Sequence, residues 1–341
     1  MQINDKKINS LFYYWLITSF IMVFIMIVVG GLTRLTNSGL SITEWELFTG
    51  ILPPTSFETW KEYFSLYKEI PQYYLLNEEM TLEEFKIIFY WEYIHRILGR
   101  LIGLFFLIPL IYFYFKNKIN KKYLLSSSIV LFLIITQGIV GWYMVESGLV
   151  NKVSVSHYRL SLHLSMALII ISLLFWNILN FKEQKNKAFY ENKKKNYFYY
   201  FLIFLILLQI IFGAFVSGLD AGKIYQTWPL MNLNYFPDDV KIYHFNDFSN
   251  FENHGLVQFY HRNLAYIITL SLIIYGIYIF KNNIHKLKKP FYLILFILFI
   301  QIFLGITTLL SGLNIYLASA HQVCSVLLML CAINLYYCYI K

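Results

Sequence analysis

The chain has 341 residues, of which 58% are hydrophobic, 20% aromatic and only 14% charged, with a mean hydropathy of +0.55. These values exclude an ordinary soluble domain and indicate a polytopic membrane protein. The net charge of +9 does not point to nucleic acid, because the lysines cluster in short connections between apolar runs.

Crossing about 30 Å of hydrocarbon takes roughly 20 apolar residues. Eight segments reach that length, near 11–31, 88–115, 123–146, 157–180, 197–218, 256–280, 291–312 and 316–340. The first, Leu11 to Gly31, is too long for a signal-peptide core, lacks a clear cleavage site and reads as a retained span. Two long acidic segments, 33–87 and 219–255, lie on one side of the membrane. Lys6, Lys7, Lys116, Lys118, Lys121, Lys122, Lys281, Lys286, Lys288, Lys289 and Lys341 lie on the other. So does the basic stretch KEQKNKAFYENKKKN (Lys182–Asn196), which reads as a solvated linker. The positive-inside rule places both termini in the cytoplasm, so spans 2, 4, 6 and 8 run inward from the outer side.

The chain repeats itself. GGLTRLTNSGLSITEW (Gly30–Trp45) aligns without gaps on GAFVSGLDAGKIYQTW (Gly213–Trp228), EYIHR (Glu92–Arg96) on QFYHR (Gln258–Arg262), and QGIVGWYMVESGL (Gln137–Leu149) on QIFLGITTLLSGL (Gln301–Leu313). Four spans per half keep both copies in the same orientation. The expected fold is therefore all-α and integral to the membrane. Eight transmembrane helices form two parallel four-helix-bundle repeats: residues 1–180, a linker at 181–196, and 197–341.

Four histidines occupy matching places, five to seven residues inside the outer end of a span: His95, His163, His261 and His321. That is about 8–10 Å deep at 1.5 Å per residue. A lone membrane histidine commonly serves a helix–helix hydrogen bond. Four in two register-matched pairs suit axial ligation of heme iron between facing bundle helices. His244 and His285 fall in loops, while His157 and His254 stand at helix starts; all four read as solvated or capping. His254, seven residues before His261, is the best spare ligand.

Glu92 lies three residues before His95 on the same helical face, and an ionisable group there marks a functional site unless it snorkels to the headgroups. Its counterpart is the neutral Gln258, which cannot act as a carboxylate base. This asymmetry suggests one reactive site and one electron-transfer site. Arg96 and Arg262 follow the histidines and suit heme propionates, with snorkelling as the alternative; Arg34, Arg100 and Arg159 share that ambiguity. Trp45 and Trp228 suit interfacial anchoring. Gly30, Gly31, Gly138, Gly141, Gly213 and Gly305 are expected to permit close helix approach. Cys324, Cys331 and Cys338 share one face of the last span and read as packing residues.

With these residues in place, the chain resembles heme A synthase. The resemblance runs from about Val28 to Cys331 and rests on GGLTRLTNSGLSITEW, WEYIHRILGR, QGIVGWYMVESGL, HYRLSLHL, GAFVSGLDAG with QTWPLM, VQFYHR and ASAHQ, in that order. It implies a heme-containing oxidoreductase of the inner membrane that oxidises the C8 methyl of heme O to a formyl group by successive hydroxylations. The product, heme A, serves terminal cytochrome oxidases. It implies that His261 and His321 ligate heme b, that His95 and His163 address the substrate heme O, and that Glu92 is the catalytic carboxylate. It requires an electron donor and a farnesylating heme O synthase upstream, and leaves room for a homo-oligomer. Some bacterial members carry a cysteine pair in the first outer segment. This chain has no cysteine before Cys324, and its long segment 33–87 resembles the mitochondrial and alphaproteobacterial branch. The competing readings are a di-heme b-type electron carrier, which the histidine pairs alone would permit, and a transporter or heme exporter. The latter needs a polar path through both leaflets, whereas the ionisable residues cluster near the outer end.

Overall fold

The structure, a computed structural model, describes residues 2–45, 49–149, 153–185, 187–190 and 196–340, without the side chains of 2–7 and 49. Lys193, Lys194, Lys195 and Lys341, and the side chains of Lys6 and Lys7, lie outside the described residues. Among these residues the chain is all-α, with one isolated β-bridge between Met231 and Asn234. The helices are α1 (Gln2–Leu35), α2 (Phe57–Lys68), α3 (Pro71–Leu76), α4 (Leu82–Lys116), α5 (Lys121–Leu149), α6 (His157–Lys182), α7 (Phe198–Gly218), α8 (His254–Lys281), α9 (His285–Leu310) and α10 (Ile315–Tyr339). All but α2 and α3 are long and apolar enough to span a membrane. Their outward faces carry Phe115, Phe132, Leu270, Ile274 and Phe299, all exposed. Lipid satisfies such faces, and the helical backbone satisfies its own polar groups. The chain is an all-α multi-span membrane protein.

Three helix starts fall well before the hydropathy pattern predicts: α1 at Gln2, α4 at Leu82 and α9 at His285. Helix α4 begins at Leu82 because Thr81 caps it: its hydroxyl accepts from Glu84 N, and the Glu84 carboxylate accepts from Thr81 N at 2.8 Å. Helix α9 begins at His285, with Pro290 inside it. His285 is therefore helical rather than in a loop, although it remains exposed. The polar first turns of all three helices lie beyond the apolar run that signals a span.

The chain divides into two compact units, Met1–Asn186 and Lys187–Lys341. In the first, α1 packs on α4 and α6, and α5 packs on the same two helices. In the second, α7 packs on α8 and α10, and α9 likewise. Each unit is thus a ring of four helices with the same cyclic order. The histidine-bearing helices, α4 and α6 or α8 and α10, stand diagonally across the ring rather than side by side.

Two described residues of the predicted linker, Lys185 and Phe189, are pinned rather than freely solvated. The Tyr123 hydroxyl donates to Lys185 O at 2.7 Å in the first unit. In the second, Phe189 O accepts from Tyr336 at 2.5 Å and from Tyr200 at 3.2 Å.

An aromatic cap covers the end of the first unit that carries α2 and α3. Trp60, Phe64 and Tyr67 line one face of α2 and pack on Phe85 and Phe89 of α4 with Leu40 and Ile42. Outside the bilayer, burial of such side chains stabilises by about 1.5–3 kcal/mol each. Between spans that driving force is absent, and packing and interhelical hydrogen bonds take over. Tyr67 donates to Gln72 Oε1 at 3.1 Å, and Gln72 Nε2 donates to Asn37 O at 3.1 Å, tying the cap to the end of α1. Burial raises the Tyr67 hydroxyl above its ordinary pKa, which keeps it a donor. In the second unit, Tyr225 donates to Asp239 Oδ1 at 2.5 Å, and burial followed by that bond raises its pKa too.

Gly276 on α8 marks the tightest approach to α9: an added Cβ would stand 2.5 Å from Phe291 Cζ and 2.8 Å from Cε1. Gly276→Ala is expected to destabilise by about 1–3 kcal/mol, as overpacking does. Gly103→Ala, with nothing within 4 Å of its added Cβ, is expected to leave stability unchanged or raise it. Thermal unfolding in detergent compares the two.

Candidate functional site: two histidine pairs

Each unit brings its two deep histidines together. His95 of α4 faces His163 of α6 with ring centres 6.4 Å apart and ring planes at 55°. His261 of α8 faces His321 of α10, again at 6.4 Å, with planes at 76°. The two halves therefore repeat a geometry as well as a sequence. A metal ion bound between two imidazoles by bonds of about 2 Å places their ring centres roughly 6 Å apart, so both spacings suit one iron held axially from both sides. No group of three or more His, Cys, Asp or Glu suited to a bare metal ion occurs among the described residues. Two donors at this spacing fit an iron whose remaining four donors come from a macrocycle.

The neighbouring helix makes room for each ring at a glycine. A Cβ at Gly30 would stand 3.0 Å from His95 Cε1; at Gly141, 2.9 Å from that of His163; at Gly213, 3.1 Å from that of His261; and at Gly305, 2.8 Å from that of His321. In every case Nδ1 is the next-nearest atom. The Nδ1–Cε1 edge of each ring thus lies nearest its glycine, with Nε2 next at 3.8 Å from Gly141 for His163 and 3.6 Å from Gly305 for His321. His321 completes the arrangement, with Nδ1 3.1 Å from Gln301 O. A carbonyl at that nitrogen fixes the tautomer that leaves Nε2 free to ligate. The expectation of simple helix approach holds less well for Gly138, where nothing lies within 4 Å of an added Cβ.

Three glutamines, each four residues before one of these glycines, are functional neighbours that the sequence reading missed. Gln137 Nε2 donates to His163 O at 2.9 Å, and Gln209 Nε2 donates to His261 O at 2.9 Å. Gln301 Nε2 lies 3.4 Å from His321 Nε2. The signal was present as Q-x3-G in spans 3, 5 and 7. The equivalent position for His95 holds Met26.

Glu92 is 2% exposed, so it does not snorkel. One carboxylate oxygen accepts from Ser41 Oγ at 2.8 Å and Ile42 N at 2.9 Å; the other accepts from Arg96 Nη2 at 2.7 Å and Nε at 3.1 Å. Four hydrogen bonds, two of them from the charged guanidinium, satisfy both carboxylate oxygens. Arg96 also donates to Ile42 O at 2.9 Å and lies over the Trp45 ring. In the second unit the matching backbone is read with opposite polarity: Gln258 Nε2 and Arg262 Nη2 both donate to Tyr225 O at 2.9 Å. Ser41 is replaced there by Ile224. Arg262 also donates to Leu230 O at 3.1 Å, while its Nε is buried without a hydrogen-bond partner. Arg96 and Arg100 line a narrow cleft with Tyr63, Phe89 and Tyr93.

The remaining candidates lie outside this arrangement. His157 is the first residue of α6 but is 5% exposed and stacks on Tyr158, so it is neither solvated nor a cap. His254 is the first residue of α8 and half-buried; His244 is exposed. Trp45 and Trp228 are exposed, Arg159 lies over Tyr143, and Arg34 donates to Asn37. Cys324 Sγ packs on Ile297 O.

Gly305→Ala is expected to displace the His321 ring and lower the affinity of the second pair for an iron macrocycle by about 10- to 100-fold. Gly138→Ala, on the same helix as Gly141 but facing open space, is expected to leave affinity unchanged. Optical titration with heme compares them.

Residues 13–333 match the family model COX15-CtaA, described as cytochrome oxidase assembly protein. A protein of Pelagibacter ubique named heme A synthase is 48% identical over 334 residues, covering 96% of this chain and 96% of that protein. Heme A synthases of Rickettsia bellii and Rickettsia felis are 46% and 43% identical, covering 92% and 94% of this chain and 94% and 96% of their own lengths. Two histidine pairs of equal spacing, the repeat that builds them and a match spanning nearly every residue between agree: the chain belongs to the COX15-CtaA family of cytochrome oxidase assembly proteins.

Proposed function

We propose that this chain is a heme A synthase, an oxidoreductase that converts heme O to heme A by oxidising the C8 methyl to a formyl group through successive hydroxylations. The observation that carries this reading is the pairing of two equivalent histidine sites with a buried carboxylate at only one of them. His95 and His163 would hold the substrate heme O in the first unit. His261 and His321 would hold heme b in the second, and that cofactor would supply one-electron transfer.

The chain's own residues set the difference between the sites. Glu92, anchored by Ser41, the Ile42 amide and Arg96, is the proton-accepting group of the first site. Gln258 and Ile224 leave the second without one, which suits electron transfer without chemistry on the ligand. Successive hydroxylation of a methyl carbon requires proton movement as well as electron transfer, and Glu92 is the group placed to hold or pass a proton in the first site. Arg262, with its buried Nε, contacts a propionate in the second unit. Arg96 does so in the first only by sharing its guanidinium with Glu92. The protein works in the inner membrane with both termini cytoplasmic, in keeping with the lysine-bearing ends of its spans. It receives heme O from a heme O synthase and electrons from a donor, alone or as a homo-oligomer.

Expression in a host that makes heme O but lacks heme A synthase, with mass analysis of the extracted hemes, tests the reading. A formyl or hydroxymethyl product supports it. Protein that binds only heme b while the pool stays heme O indicates the di-heme electron carrier instead. Glu92→Gln is expected to lower product on the order of 100-fold, the scale of acid–base catalysis, while keeping the bound heme content of wild type. Full product from that variant would remove Glu92 from the chemistry.

A further inference from the structure

One of the four histidines is held differently from the others. At three positions a glutamine stands one helical turn before the glycine that seats the ring. Gln137 and Gln209 donate across to the backbone carbonyl of their histidine, and Gln301 lies against the His321 ring. Each of these glutamines keeps its Oε1 buried without a partner. A half-satisfied amide between membrane helices is costly, so these residues are retained for what their donors hold. At the fourth position the residue is Met26. It has no donor, and its Cε reaches toward Gly99, one turn beyond His95 on α4. Methionine packs there by dispersion alone and adapts its shape readily. The matching places in the other three helices hold Ala167, Ala265 and Ser325. The Nδ1 atoms of His95 and His163 are alike buried without a hydrogen-bond partner, so the difference between the two lies in the residue beside the seating glycine, Met26 against Gln137.

We infer that His95 is the exchangeable axial ligand of the first site, that His163 is the permanent one, and that Met26 is the positioning residue that sets this difference. The inference rests on the heme reading above and deepens it: the substrate iron is released on the His95 side, next to Glu92, and remains anchored from α6. A single interhelical hydrogen bond in a membrane is worth about 0.6–1.7 kcal/mol, which is roughly a three- to fifteen-fold change in an equilibrium.

The test is carbon monoxide binding to the reduced, heme-loaded full-length protein, because carbon monoxide reaches six-coordinate iron only when an axial ligand leaves. Wild type is expected to bind about one equivalent per chain. Met26→Gln is expected to weaken that binding three- to fifteen-fold at unchanged heme content, and Met26→Leu to keep wild-type binding. Gln209→Met is expected to make the second heme reactive as well. Unchanged binding in Met26→Gln with both hemes present, or loss of binding in Met26→Leu, overturns the inference while leaving the synthase reading intact. A folded preparation whose first unit holds no heme overturns both.

Discussion

A histidine ring inside a lipid bilayer has to be seated by protein on every side, and in this molecule the seat is a glycine on the adjacent helix. The four ring-to-glycine contacts fix where α1, α5, α7 and α9 approach their partners. They place the Nδ1–Cε1 edge of each imidazole against a helix and so fix the orientation of the ring. The two diagonal helices of each ring then present their imidazoles at one spacing in both units. Ligand direction comes from the absence of one methyl group next door, which is cheaper in hydrocarbon than a polar scaffold and leaves the interior free for an apolar macrocycle.

The same backbone position serves two chemistries in the two units. Around Ile42 the outer segment offers its amide to a carboxylate; around Tyr225 it offers its carbonyl to a carboxamide and an arginine. The tether survives in both, so Glu92, standing where the second unit has Gln258, exchanges a carboxamide for a carboxylate without dismantling the bundle. The price is a buried carboxylate, which the first unit offsets with Ser41 and Arg96. The aromatic cap of α2 and α3 then shields this group, using burial from water that the spans themselves cannot exploit.

Much of this was legible in the sequence. The eight spans follow from apolar length, and the repeat follows from strings such as GGLTRLTNSGLSITEW and its partner. The four histidines stand out because ionisable groups are rare at that depth. The helix starts at Gln2, Leu82 and His285 were missed because polar turns continue a helix past the apolar run. The environment of Glu92 was missed because its donors at Ser41 and Ile42 lie some fifty residues earlier, and no local pattern announces such a contact. Gln137, Gln209 and Gln301 were visible as a spacing from glycine, but glutamine has meaning there only once the next helix brings a histidine to it. His157 shows the converse: a helix-start position implied solvent, and tertiary packing buried it.

The account stands on each histidine pair holding its own heme iron from both sides. Low-temperature electron paramagnetic resonance of oxidised protein carrying His321→Ala tests this most directly. The account predicts that one bis-imidazole low-spin signal disappears or becomes high-spin while the signal from the first unit stays unchanged. Persistence of both low-spin signals in the folded variant would contradict it.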